Sequence, residues 1–336
     1  MTTISAKVVV DSVSPDGHRL TTLLLCYPRW IHAEARAHRQ LRLGEDLEVD
    51  LRTPSLMEDP NLSRNASSSR AIPVTKMIQD VEADPAIPLF WGRNCRGMQG
   101  GEEHDAPVSV FGWGGDATRT RESAWMLACA NALKAATAFD KAGYHKQIVN
   151  RLLEPFSHIR VVVSATQWPN FFALRCHPDA EPHIALLANR IGEAMDASSP
   201  IELQPGQWHL PFVGEADWDA MRPAESYERS ELAVAPKVLD TADAQLSVAK
   251  KLSVARCAST SYKTVDGFDM TLDRACELFD KLATAKPMHA SPFEHQATPD
   301  ECVFADSDRL QWRRPQEHAN FVGWRQHRKM LPGECA

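Results

Sequence analysis

The apolar positions of this chain fall into short β-branched runs and longer mixed segments with helical spacing. Lys7-Val8-Val9-Val10-Asp11-Ser12-Val13 predicts a first strand, closed by the turn chemistry of Pro15-Asp16-Gly17. Residues 20–26 predict a second strand, and so a hairpin. Pro28 then opens an Ala-, Glu- and Arg-rich stretch over residues 30–39, which predicts a helix because Pro presets the first helical φ. Residues 74–81 and an Ala-rich stretch over about 118–142 predict two more helices, with Gly143 as the C-cap of the second. A further helix runs through Leu153. Residues 158–164 form a β-branched run, and residues 168–175 lead into a helix near 183–195. Residues 205–211 read as a turn region around Trp208-His209, and 244–257 and 272–285 as helices. No segment repeats at a fixed period. Helix and strand are mixed, with helix the larger share, which predicts an α/β (α+β) chain.

Residues 40–61 depart from this pattern. Glu45, Asp46, Glu48, Asp50, Glu58 and Asp59 make them acidic, and Pro54 and Pro60 punctuate them, which predicts an exposed loop or lid. The whole chain has 336 residues, room for about two domains or one large unit. It is 43% hydrophobic and 24% charged, ordinary globular usage. Its net charge of −7 argues against a nucleic-acid polymer as partner, since duplex binding draws on Lys and Arg to displace counterions. A local basic pocket for one phosphate remains compatible with it. No apolar run approaches the roughly 20 residues of a membrane span, and the start lacks a charged and then apolar leader. The expectation is a cytoplasmic protein, in the host cytoplasm if the chain is viral. Eight cysteines form no CxxC pair, which removes the main support for zinc-ribbon and thioredoxin readings.

Four segments carry candidate chemistry. Arg64, Arg70 and four serines lie within the eight residues 63–70. Phosphate recognition needs several donors converging on one anion, and Arg offers a bidentate fork with hydroxyls filling in around it. A polar helix start or serine-rich turn explains the same residues. Gly97-Met98-Gln99-Gly100-Gly101 would let backbone approach a phosphate, but it lacks the P-loop and dinucleotide patterns and also reads as a turn. His177-Pro178-Asp179-Ala180-Glu181-Pro182-His183 has metal-ligand residue types. Its prolines break the helical i, i+4 spacing, which favours a turn before a helix, and no metal site is expected. In His289-Ala290-Ser291-Pro292-Phe293-Glu294-His295, Ser291 as N-cap, Pro292 at N1 and Glu294 at N3 predict a capping box. Such a helix start also favours anions.

Together these segments resemble the flavin-dependent thymidylate synthases. The family signature Arg-His-Arg-x-x-Ser-x-Asn-x-x-Ser-x-Arg is matched in its second half by Ser63-x-Asn65-x-x-Ser68-x-Arg70. His38-Arg39 resembles the tail of its first half, displaced upstream by the acidic insertion, with Ala37 where the first Arg falls. Arg151-Leu152-Leu153-Glu154-Pro155 and Ser164-Ala165-Thr166 through Asn170 to Arg175 resemble the segment entering the family's central helix. Ala258-Ser259-Thr260-Ser261-Tyr262 resembles its Ala-Arg-Val-Ser motif, and His289-x-Ser291-Pro292-Phe293-Glu294-His295 its His-x-Thr-Pro-Phe-Glu-His motif. The last two motifs precede the signature in the commonest form and follow it here, so the resemblance is to a permuted or phage-type variant.

The resemblance implies one catalytic domain over 1–336, with long helices packed on a mainly antiparallel sheet. It implies FAD-dependent transfer of one carbon from 5,10-methylenetetrahydrofolate to C5 of a pyrimidine deoxynucleoside monophosphate, dUMP to dTMP, with NADPH as reductant. Ser68 and Arg175 take catalytic positions. Glu34, Ser68, Arg70, Arg151 and Arg175 bind the substrate. His38, Arg39, Asn65, Asn170, Ser261, His289, Ser291 and Glu294 line the flavin. A homotetramer with shared active sites is also implied. Glu34 stands where the family has Gln, and Ala66 where it has Glu. Cytosine replaces an acceptor of uracil by a donor at position 4, so a carboxylate such as Glu34 motivates a rival substrate, dCMP, with a methylated or hydroxymethylated product. More distant readings are a non-catalytic nucleotide- or RNA-binding protein and a metal hydrolase through His177, Asp179 and His183.

Overall fold

The computed structural model describes residues 2–32, 63–97, 100–112, 115–222, 241–259, 270–286, 288–306, 309–332 and 334. The acidic stretch 40–61 and the predicted site residues Glu34, His38, Arg39 and Ser261 lie outside them.

Strands β1 (Ser5–Val13) and β2 (Arg19–Pro28) form the predicted hairpin, with a bulge between Val8 and Val10. Gly17 closes its turn at φ +83°, a backbone region that glycine enters without a Cβ penalty. The other edge of β2 pairs with β6 (His158–Ala165), and β6 pairs with β3 (Ser63–Ala66), both antiparallel. A two-residue strand, β7 (Ile201–Glu202), adds in parallel to β1. The order is β3-β6-β2-β1-β7, a mainly antiparallel sheet with one parallel edge. Three two-stranded ribbons accompany it: β4 (Val108–Gly112) with β5 (Gly115–Arg119), β8 (Ala297–Pro299) with β11 (Trp324–Gln326), and β9 (Cys302–Asp306) with β10 (Arg309–Trp312).

The period of two in each strand divides the main sheet into unlike faces. Leu23, Leu25, Tyr27, Ile159, Val161 and Val163 point to one side. There they pack on Trp168, Phe171, Ile184, Leu187 and Ile191 from helices α4 (Pro169–Arg175) and α5 (Pro182–Asp196). On the opposite face Ser63 stands directly across from Ser164, and Ser164 from Thr22, so a row of hydroxyls crosses three strands. That face is also buried. Leu20, Ala297, Phe321 and Trp324 form an apolar patch on it.

A second core joins helices α1 (Val74–Ala83), α2 (Arg121–Lys141) and α3 (Lys146–Val149) through Met77, Val81, Cys129, Leu153 and Phe156. Gly143 lies just past α2 at φ +83°, as its predicted capping role requires. Helices α6 (Glu215–Met221), α7 (Ala242–Ala258) and α8 (Leu272–Thr284) build a third layer, in which α7 packs against α8. Among the described residues no helix is long and apolar enough to cross a membrane.

Two local expectations are corrected. The helix predicted from residue 30 begins as a three-residue 3-10 turn, Arg29–Ile31, and most of the rest falls outside the described residues. The helix expected to run through Leu153 is α-helical only to Val149, and continues as the 3-10 turn Asn150–Leu152. The buried Asn150 amide spends its hydrogens on the carbonyls of Ser69 (2.7 Å) and Ile72 (2.9 Å), tying this turn to the serine-rich segment.

Candidate active site

The second half of the signature begins as edge strand β3, and Asn65 on that strand bonds to two distant segments. The Asn65 Nδ2 donates to the carbonyl of Cys257 at 2.6 Å. Cys257 stands at the end of α7, immediately before the Ala258-Ser259 motif, and the Ser259 hydroxyl donates back to Ala255 at 2.8 Å. The Ser291 hydroxyl donates to Asn65 Oδ1 at 3.2 Å. These partners lie 192 and 226 residues from Asn65 in sequence, so the junction is a product of the fold.

A second knot holds the same strand from its buried end. Gln326 is 1% exposed, and its Nε2 lies 3.0 Å from Ser63 Oγ, 2.8 Å from Asn320 Oδ1 and 3.1 Å from the Glu294 carbonyl. Asn320 Nδ2 donates to Ser63 Oγ at 3.1 Å. All of these groups are neutral. Each such buried bond adds only about 0.5–1.5 kcal/mol net, but leaving one unmade costs the desolvation of its group. The arrangement therefore fixes position more than it adds stability.

The predicted capping box at Ser291 does not form. Residues Ser291–Glu294 make one 3-10 turn with Ala290 at the N-cap and no side-chain cap. Ser291 is committed to Asn65, and the Glu294 carboxylate to Arg328 Nη1 at 2.5 Å. Arg328 also faces Glu334 at 3.1 Å. His289 and Ser291 are exposed beside the junction.

The serines beyond Asn65 form a different structure. The Ser67 hydroxyl accepts from the Arg160 N–H at 3.1 Å, and the Ala71 N–H donates to the Ser68 carbonyl at 2.9 Å, closing a turn. The Ser69 hydroxyl donates to Glu154 Oε1 at 2.5 Å, and Arg151 Nη1 bridges both Glu154 oxygens at 3.2 Å. Ser68 is half-buried, while Arg70 and Arg151 are exposed. Glu154 is thus held by Arg151 and by Ser69, which lies between Ser68 and Arg70 in the chain.

Asn170 and Arg175 join neither group among the described residues. They sit on α4, which packs on the apolar face of the sheet, and Asn170 Nδ2 and Arg175 Nε are buried with no hydrogen-bond partner among the described residues. Ala66 packs against that same apolar core, so the signature's carboxylate position is here a core contact.

Asn150, Glu154, Cys257, Asn320 and Gln326 were missed by sequence reasoning. Only Glu154 carried a signal, its i, i+3 spacing from Arg151. The buried histidines were also missed as a group. Burial holds both His209 and His295 at a pKa of about 3, so both are neutral near pH 7. Burial pushes the Cys257 thiol up, away from thiolate chemistry.

The metal reading loses its geometry. His183 is buried, with Nδ1 2.5 Å from Glu181 Oε1 and Nε2 accepting from the Leu89 N–H at 2.8 Å. Glu181 caps α5 as the turn reading requires. No cluster of three His, Cys, Asp or Glu that could hold a metal occurs among the described residues. A cavity of about 380 Å³ lies elsewhere, against α2, walled by Trp91, Trp125, Val108 and Arg121, and none of the motif residues lines it.

No protein-family model and no curated protein matches the chain. Two solved structures are similar to part of it. The UMP/dUMP methylase PolB from Streptomyces cacaoi, bound with 5-Br dUMP, shares 12% identity over 58% of this chain and 90% of that chain, with a TM-score of 0.36. The same enzyme bound with 5-Br UMP gives 13%, 58%, 89% and 0.37. At these scores the likeness is weak.

Proposed function

We propose that this chain is a flavin-dependent one-carbon transferase acting at C5 of a pyrimidine deoxynucleoside monophosphate, with dUMP as substrate. One observation carries the reading. Asn65 of the signature strand is bonded at once to the end of α7, where the Ala258-Ser259 motif begins, and to Ser291 of the Pro-Phe-Glu-His motif. Two segments chosen by resemblance alone are bonded to each other and the third begins one residue beyond the bonded carbonyl, which supports a shared site.

The donor set suits both ligands. Arg70 is an exposed guanidinium at the end of the serine turn, and Arg151, also exposed, is tied to that turn through Glu154 and Ser69. Such a group favours a phosphate dianion. Beside Asn65, His289 and Ser291 are exposed polar groups, and Glu294 is paired with Arg328. That surface suits the uncharged edge of a flavin. FAD, when bound, supplies the hydride, with 5,10-methylenetetrahydrofolate as carbon source and NADPH as reductant. In this reading Arg70 and Arg151 hold the phosphate, Ser68 lies beside the pyrimidine, and Asn65, His289 and Ser291 position the flavin. Asn170 and Arg175 serve a site completed by another subunit of a homotetramer, because α4 lies on the other face of the sheet.

The test is a product analysis. The purified protein is supplied with FAD, NADPH, 5,10-methylenetetrahydrofolate and either dUMP or dCMP, and the nucleotide is weighed. A gain of one CH2 unit on dUMP is expected. A gain on dCMP alone keeps the machinery and changes the base. No gain on either, together with no flavin absorbance, overturns the reading.

A further inference from the structure

Arg19 and Arg29 are both partly buried, but they are held in opposite ways. Arg19 donates from Nε to Asp11 Oδ1 at 2.9 Å, and from Nη2 to Asp11 Oδ2 at 2.6 Å and the Met195 carbonyl at 2.7 Å. Its pKa is raised, first of all by those bonds to Asp11. Arg256 is paired in the same manner with Asp217, and Arg325 with Glu317. Arg29 has no carboxylate within ion-pair distance among the described residues. Its pKa is lowered, chiefly by burial, although a guanidinium keeps its charge.

The Arg29 side chain meets neutral groups around the start of the serine turn. Its Nε donates to Ser157 Oγ at 3.2 Å, while Nη1 and Nη2 share the Ser67 carbonyl at 3.4 and 3.5 Å. The last two are long beside the usual ~2.9–3.0 Å. Of the guanidinium's N–H groups, one on each terminal nitrogen is left over. The backbone fixes this geometry from both sides. The Arg29 N–H donates to the Ser157 carbonyl at 2.9 Å, and the Ser67 N–H to the Arg160 carbonyl at 2.8 Å. Glu154 and Arg151 both act on Arg29 electrostatically, with opposite signs. Glu154 is already bonded to Arg151 and to the Ser69 hydroxyl. Two arginines and one carboxylate leave a positive charge over. A cation withdrawn from water without a counter-charge is costly, and an anion seated beside it offsets that cost.

We propose that Arg29 is a further substrate-binding residue, whose spare Nη N–H groups hold the phosphate of a nucleoside monophosphate alongside Arg151. The planar fork of a guanidinium suits two phosphate oxygens at once. The anion site stands on the geometry alone, whereas the nucleotide as its occupant rests on the proposed function.

The rival role for Arg29 is a clamp that only shapes the turn. Titration calorimetry of wild-type protein, Arg29→Gln and Arg29→Lys with dUMP, deoxyuridine and inorganic phosphate separates the two, with FAD present throughout. Arg29→Gln is expected to weaken dUMP binding about 10- to 100-fold, the worth of a charged hydrogen bond, and to leave deoxyuridine within about twofold. The slope with which salt weakens dUMP binding is expected to fall as well. Arg29→Lys keeps the charge but loses the fork, so it is expected to show the same selectivity with a loss of about threefold or more. It decides the matter if Arg29→Gln fails to fold. Equal weakening of dUMP and deoxyuridine, or unchanged dUMP binding, overturns the proposal and leaves the proposed function standing. If the wild type binds phosphate but not dUMP, and either variant weakens phosphate, the anion site stands and the proposed function fails. If the wild type binds neither dUMP nor phosphate, both are overturned.

Discussion

Asn65 and Arg70 are near neighbours in sequence, yet they belong to regions built on different physics. Around Asn65 and Ser63 the hydrogen bonds to Cys257, Ser291, Asn320 and Gln326 join neutral groups and reach far along the chain. Beyond them in the chain Arg70 is exposed, and the ion pair tied to this turn, Arg151 with Glu154, spans only three residues. The first region holds its shape because an unmade buried bond is costly. The second keeps spare donors because water already solvates them, and exposed ion pairs contribute little to stability. The proposed function uses both, the rigid neutral frame for the flavin and the available positive charge for the phosphate.

Acid breaks the neutral region first. His209 and His295 titrate near 3 and His327 near 4 in the folded state, all depressed by burial from an ordinary value of 6.5. Between those values the unfolded chain binds a proton that the folded chain refuses, so their stability is fully present above pH 6.5 and falls as pH drops toward 4. The slope is about 1.4 kcal/mol per pH unit for each histidine. Urea unfolding at pH 7 and pH 5 is expected to differ by several kcal/mol. Next in size is Gln326→Ala, which removes a buried side chain and one hydrogen bond each from Ser63, Asn320 and the Glu294 carbonyl. A loss of about 2–4 kcal/mol is expected by urea unfolding. Asn65→Ala frees the Cys257 carbonyl and the Ser291 hydroxyl and is expected to lose about 1–3 kcal/mol.

The charged region gives the smallest stability effects. Arg70→Ala and Arg151→Ala are expected to stay within about 0.5 kcal/mol of wild type, since both side chains are exposed. Nucleotide affinity separates the regions: each variant is expected to weaken dUMP binding about 10- to 100-fold, the worth of a charged hydrogen bond. Titration calorimetry at two salt concentrations measures this, and the wild-type advantage is expected to shrink at the higher one.

The hairpin β1–β2 was legible because its causes are local: alternating apolar residues and a Pro-Asp-Gly turn. The helices α1, α2, α5, α7 and α8 were legible for the same reason. The 3-10 turn at Ser291 was not, because Glu294 is claimed by Arg328, 34 residues further on. Gln326 and Ser63 lie 263 residues apart, and no local pattern announces such a pair. His209 read only as part of a turn, since its partners come from three strands. Asn65, Ser68, Arg70, Arg151, His289, Ser291 and Glu294 were named as candidates from motifs. Their division into a neutral and a charged group required the fold.

The central claim is that the Asn65–Ser291 junction forms one flavin site. FAD titration of wild-type protein, Asn65→Ala, Ser291→Ala and the double variant tests it most directly. Each single variant is expected to bind FAD more weakly. The double variant is expected to lose less than the two single losses combined, by about 0.5 kcal/mol or more, because both residues act through one contact. Additive losses, or a wild-type protein that takes up no FAD, would contradict it.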